Sequence, residues 1–311
     1  MLGDDDRRRG GVPTPLVDAS PLTTREPSAA ARMGWLIRAS RQAGGLTQRQ
    51  LMAALRDRGF SFSPGVVPGL ESGTVRSGRL IGGLEEILGL DPGHLGGPIG
   101  TLCRCFPDGP EDADPLVRVS DRGRSRALID ALDAPVVTGG QWWEFANEIE
   151  DLTLSSRELR RLVRRLALEI GRGVGPAYLV RYESLALVRR SSLGSAVVEA
   201  AAEVRDEQHV QVFYDLASAV GEKVDREAWK WAIECLRSDR PLIVRGGVLC
   251  VENMLSVAGI SDSWWPPLLE VFREAYREAS RDGGDTWVAL SALWRLMPPA
   301  ARAAAIGRGS R

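Results

Sequence analysis

The sequence predicts an all-α protein, and three observations carry that prediction. From about residue 122 to about residue 300, apolar residues recur at three- and four-residue spacing, the period of one helix face. Runs that alternate apolar and polar residues, the mark of half-buried strands, are scarce. Capping and stopping residues bracket stretches of roughly 10–17 residues with short joints between them.

Length and composition bound the rest. A chain of 311 residues holds roughly two domains of about 150 residues each. With 44% hydrophobic and 26% charged residues, wholesale disorder is excluded. No apolar run reaches the roughly 18 residues needed to span a bilayer. The opening MLGDDDRRRGG has no apolar core behind it, so no secretory leader is expected. Four cysteines in a chain of this length do not form a disulfide framework. A cytoplasmic protein without a membrane partner and without a cofactor is the expectation.

Charge is abundant but balanced. Of the 40 basic residues only Lys223 and Lys230 are lysines. Arginine in such excess, with much Ala and Gly, reflects a GC-rich coding sequence, so it is not by itself a sign of nucleic acid. The net charge of −1 agrees. Its distribution is more informative. Residues 30–95 carry a net +3 and residues 96–311 a net −3. A mildly basic head thus precedes a mildly acidic body.

The expected organisation is a flexible tail over 1–29, a head over 30–95 and a Gly-, Pro- and Asp-rich joint over 96–121. A helical body over 122–300 and a flexible end over 301–311 follow. In the body the spacing predicts helices near 124–133, 141–151, 155–170, 176–189, 194–205, 207–220, 225–237, 241–257, 265–281 and 286–297. Leu159, Leu162, Val163, Leu166 and Ile170 illustrate the period, with Ser155 or Ser156 as the cap and Gly171 as the stop. Trp264-Trp265-Pro266-Pro267 should open a helix with its prolines in the first turn. Stacked helical hairpins are expected, either a HEAT- or TPR-like solenoid or an irregular bundle.

The head is the informative stretch. Met33, Leu36, Ile37 and Ser40 mark one helix face, closed by Gly44-Gly45. Thr47 with Gln50 three residues on reads as a capping box, and Leu51 and Leu55 continue the buried face. Ser63-Pro64 reads as the cap and first turn of a third helix, which Gly73 closes. Leu80, Leu84, Ile87, Leu88 and Leu90 mark a fourth helix, ended at Gly89 to Pro92.

Leu46-Thr47-Gln48-x-x-Leu51, then Leu70-Glu71-x-Gly73, then Leu84-x-x-Ile87-Leu88-Gly89-Leu90 together resemble the Cro/C1-type, or XRE-family, helix-turn-helix domain. The resemblance covers about 60 residues. It implies a lambda-repressor-like fold for the head and a function for the chain: a bacterial, sequence-specific, DNA-binding transcriptional regulator. Its partner would be double-stranded DNA, bound as a homodimer. The body would dimerise and sense a small-molecule or protein effector. The helix near 47–56 would lie across the backbone and the helix near 63–71 would enter the major groove. The DNA-facing set so implied is Thr47, Gln48, Arg49, Ser61, Ser63, Gly65, Val66, Arg76 and Arg79.

Departures from that family are specific. Pro64, Gly65 and Gly69 stand where base-reading side chains are usual. Pro68 within a helix interior would cost about 3 kcal/mol. About five extra residues separate the second and third helices, within Arg56–Phe62, where Phe60 and Phe62 are expected as core anchors under the third helix. Two functions therefore stand: DNA binding largely through backbone and shape, or a helical interaction scaffold whose head no longer reads bases.

Other candidates are weaker. His94, Cys103 and Cys105 offer three ligand groups, one short of a structural zinc site. A redox pair at Cys103 and Cys105 is a second reading beside incidental cysteines. Cys235 and Cys250 read as core. With only His94 and His209, and no phosphate-loop motif, no enzyme is expected. Glu144, Glu148 and Glu150 read as a solvated face. Arg157, Arg160, Arg161, Arg164 and Arg165 read as a solvated face or a second basic surface. Neighbours on a helix point about 100° apart, so Trp142-Trp143 and Trp264-Trp265 read either as simple packing between stacked helices or as pairs of which one member lines a groove or dimer surface.

Overall fold

The computed structural model describes residues 29–105, 125–170, 173–205, 207 and 213–307. Among these residues the chain is all-α, with sixteen helices, one 3-10 turn and no strand. In order the helices are α1 (Ala29–Ala43), α2 (Gln48–Asp57), α3 (Val66–Ser72), α4 (Gly78–Leu88), α5 (Gly96–Cys105), α6 (Ser125–Leu132), α7 (Gly139–Glu148) and α8 (Ser156–Ile170). They continue as α9 (Pro176–Arg190), α10 (Ser195–Arg205), α11 (Phe213–Val220), α12 (Arg226–Leu236), α13 (Pro241–Val257), α14 (Trp265–Asp282), α15 (Gly284–Leu296) and α16 (Pro299–Gly307). No helix of the described residues is long and apolar enough to cross a membrane.

The chain forms two compact units. The described residues up to Asp151 and Val174–Ser184 make the first, and Leu152–Gly173 with the residues from Leu185 onward make the second. Helices α6, α7 and the start of α9, expected in the body, therefore group with the head.

In the first unit, α1 packs on α3, α4 and α5, while α2 packs on α3 and α4. Met33, Ile37, Leu51, Leu55, Val67, Leu70, Leu80, Ile81, Leu84, Leu95 and Ile99 share one core. Ile99 belongs to the stretch expected as a joint, whose first ten residues are instead α5. That helix succeeds despite its glycines because it is capped and packed from outside. The Glu85 carboxylate accepts from the backbone N–H of Gly93 at 2.9 Å, Leu95 at 2.6 Å and Gly96 at 2.8 Å. A Cβ on Gly96 or Gly97 would crowd Trp143 or Val180, so small residues admit those neighbours.

The second unit centres on α13, against which α11, α12 and α15 pack. Gly246 and Gly247 lie inside this helix, where a Cβ would strike Phe213 and Cys235 respectively. Their role is close packing. Cys235 and Cys250 are buried, in keeping with the apolar pattern around them. Pro266 and Pro267 do stand in the first turn of α14. Trp265 is buried and meets Trp229 edge-on at 5.5 Å. Residues 301–307, expected as a flexible end, are helical and packed on α14. Arg273 holds that helix by donating from Nε to the Ala305 carbonyl at 2.9 Å.

Candidate nucleic-acid interface

The surface begins at the capping box of α2. Thr47 Oγ1 accepts from the Gln50 backbone N–H at 3.2 Å, and Gln50 Oε1 accepts from the Thr47 backbone N–H at 2.8 Å. Two otherwise orphaned donors are thereby satisfied. This leaves Gln48 and Arg49 at the first turn, Gln48 half-buried and Arg49 exposed.

Gln48 is tied inward. Its Nε2 donates to Glu71 Oε2 at 2.8 Å. The same carboxylate takes two bonds from Arg41, one from Nη2 at 3.1 Å and one from Nε. Both ion-pair partners are almost fully buried. Arg41 also donates to the Leu46 carbonyl at 2.5 Å. One guanidinium therefore joins α1, the α1–α2 turn, the start of α2 and the end of α3. The backbones of α1 and α3 meet where Gly34 and Gly73 leave no room for a side chain. Gly73 closes α3 in the left-handed region, φ 77°, which glycine adopts without steric cost.

Helix α3 starts later than the sequence suggests. Ser63 does not cap it. The Val66 N–H donates to the Ser63 carbonyl at 3.1 Å in a turn through Pro64 and Gly65, and the first α-type bond runs from Gly69 N–H to the Gly65 carbonyl at 2.8 Å. Gly65 is the N-cap and supplies no side-chain bond. Pro68 is consequently the third residue of the helix, where an N–H has no intrahelical partner to lose. The expected penalty of about 3 kcal/mol belongs to helix interiors and does not arise here. Ser61, Ser63, Pro64, Gly65 and Pro68 are exposed and Val66 half-buried. The outward edge around this helix start carries no Arg, Asn or Gln.

Two arginines cover the phenylalanines of the α2–α3 joint. The Arg79 guanidinium lies over the Phe60 ring, 5.2 Å from its centre, and Arg56 lies over Phe62 at 5.4 Å. Both phenylalanines are partly buried against the core that Val67 and Leu70 of α3 share, as anchors, and Phe60 also lies against Gly83 of α4. Arg76 is half-buried and Arg79 exposed. Gln48 thus belongs to the Arg41–Glu71 network, while Arg79 belongs to the Phe60 side of the head. The sequence missed the Arg41–Glu71 pair, since nothing local links residues 30 apart.

The other candidates resolve differently. On α8, Arg160 pairs with Glu199 at 3.0 Å, Arg164 with Glu203 at 3.5 Å and with Glu207, and Arg165 with Glu169 at 2.8 Å. Arg157, Arg160 and Arg161 are exposed, as a solvated face requires, and the pairs made by Arg160, Arg164 and Arg165 neutralise part of that face. Of the expected caps of α8, Ser155 does the work, accepting from Glu158 N–H at 3.2 Å. Trp142 is buried, whereas Trp143 lines a groove together with Glu144 and Glu148. The side chains of Cys103 and Cys105, and all of Gly171 and His209, lie outside the described residues. Comparisons with known protein families, with characterised proteins and with solved structures found no match to this chain.

Proposed function

We propose that α1–α5 form the DNA-binding head of a Cro/C1-type transcription regulator and that the remaining helices serve dimerisation and the sensing of a ligand or partner. The observation that carries this reading is the network in which Arg41 and Glu71 fasten α3 against the capped start of α2. Such fastening holds two helices in a constant relation, which a groove-reading pair requires. Arg49, Arg76 and Arg79 would neutralise phosphates, with Ser61, Ser63 and the second amide hydrogen of Gln48 donating around them, while Thr47 keeps its hydroxyl and N–H on Gln50 and holds the helix start in place. The bare backbone at Gly65 would permit close approach, and Val66 would touch a thymine methyl. Selectivity would then rest mainly on DNA shape and deformability.

The second reading, a helical scaffold whose head no longer reads bases, is favoured by one observation. The exposed residues at the start of α3 include Pro64, Gly65 and Pro68 but no side chain that pairs bidentately with a base edge. The experiment that separates the two is retention of genomic duplex fragments by the purified chain, followed by sequencing of what is retained. Enrichment of a common, near-palindromic site supports the regulator. Uniform retention or none supports the scaffold.

A further inference from the structure

The first unit contains a groove of which the DNA-binding reading uses only Arg79. It has a volume of about 580 Å³ and is walled by α4, the start of α5, α7 and Phe60. That volume lies within the roughly 300–1,000 Å³ range of small-molecule sites. Its charge is one-sided. Glu85, Glu86, Glu144 and Glu148 line it, against the single cation Arg79. Glu85 is spent on capping α5, and Glu86 faces Arg58 at 3.4 Å in an exposed pair. Glu144 enters no ion pair among the described residues.

Two aromatic rings complete the lining, Phe60 on one side and Trp143 on the other. The ring of Trp143 rests on the backbone at Gly93 and Gly96, which holds it in place. At the Phe60 end the chain itself shows what the groove accepts, because the Arg79 guanidinium is seated over that ring. Carboxylates and ring faces both favour a cation with apolar flanks over its uncharged counterpart, and the carboxylates repel an anion.

We infer that this groove is a binding site for a small organic cation, an alkylguanidinium or alkylammonium, held between Phe60, Trp143 and the Glu144 carboxylate. The site requires no DNA, so its test is independent of the function proposed above.

The test is calorimetric titration of the intact protein with agmatine, which carries a guanidinium and an ammonium on a butyl chain, and with n-butylurea as the uncharged counterpart. The expected result is saturable one-to-one binding of agmatine tighter than about 1 mM, and none of n-butylurea. Glu144→Gln, at a half-exposed helix position, should weaken agmatine by about fivefold or more without altering the fold. Phe60→Leu, which keeps the apolar bulk and removes the ring, should weaken it as well. No saturable heat with agmatine, equal binding of n-butylurea, or undiminished binding by both variants would overturn the assignment.

Discussion

Arg41 of α1 and Glu71 of α3 form a two-bonded ion pair whose side chains are only 6% and 5% exposed. Two desolvated charges hold each other, and Gln48 adds a third donor to the same carboxylate. Removing one partner leaves the other buried without compensation, a loss of about 3–5 kcal/mol. Arg41→Ala and Glu71→Ala should therefore each destabilise the first unit by that order. The double replacement Arg41→Met with Glu71→Leu should lie much nearer the parent, since no charge is left stranded. Amide exchange of α1 and α3 reads the difference. Single-variant losses below about 1 kcal/mol would show that the pair contributes no more than an exposed one.

Two glycines separate backbone strain from collision. Gly73 and Gly89 both close helices in the left-handed region, at φ 77° and φ 66°. A Cβ at Gly89 meets nothing, whereas one at Gly73 would collide with the Ala30 carbonyl of α1. Gly89→Ala should cost about 1–2 kcal/mol from conformation alone. Gly73→Ala should cost clearly more, because α1 and α3 must part. Thermal unfolding of the two variants side by side checks the order, and equal losses would refute the close α1–α3 approach.

Glu85 gives the first unit a pH signature. Burial raises its pKa above the ordinary carboxylate value, and the N–H groups of Gly96, Gly93 and Leu95 together with His94 offset this only in part. A raised folded-state value means that the folded form binds the proton more tightly than the unfolded form. The stability this contributes is complete below the ordinary carboxylate range and is lost as pH rises through the raised value. Glu85→Gln carries no titrating proton there. The difference in Tm between the parent and this variant should therefore shift against the parent from about pH 4 to about pH 8. A shift in the parent's favour would mean that the three amide bonds outweigh burial.

What was legible in the sequence was what is locally encoded. Thr47 and Gln50 lie three residues apart and declare the start of α2, and Gly73 and Gly89 declare the ends of α3 and α4. The amphipathic leucines of α8 declare their buried face, with Leu162, Val163 and Leu166 inward. What was not legible depends on distant partners. Helix α5 looks like a joint because its glycines and proline weaken it in isolation, yet Glu85 caps it and Trp143 and Val180 pack on it. The start of α3 lies two residues beyond the expected cap because Ser63-Pro64 has the form of a cap and first turn, while the chain uses both in a preceding bend. The solvated face of the α8 arginines was legible, but their acidic partners were not, because Glu199, Glu203 and Glu207 are remote in sequence. The groove beside Trp143 was half legible, since adjacent tryptophans cannot share one narrow stripe.

The central claim is that the arginines around α2 and α3 meet a phosphate backbone. Its most direct test is the salt dependence of duplex DNA association by the intact chain, read by fluorescence anisotropy between about 50 and 200 mM salt. A straight, steep fall of log affinity with log salt is predicted. Arg49→Ala with Arg76→Ala should make the slope shallower by about two units, near 0.9 for each phosphate that is no longer neutralised, whereas Arg160→Ala with Arg164→Ala in the α8–α10 seam should leave it unchanged. No association at the lowest salt, or a slope indifferent to Arg49 and Arg76, would contradict it.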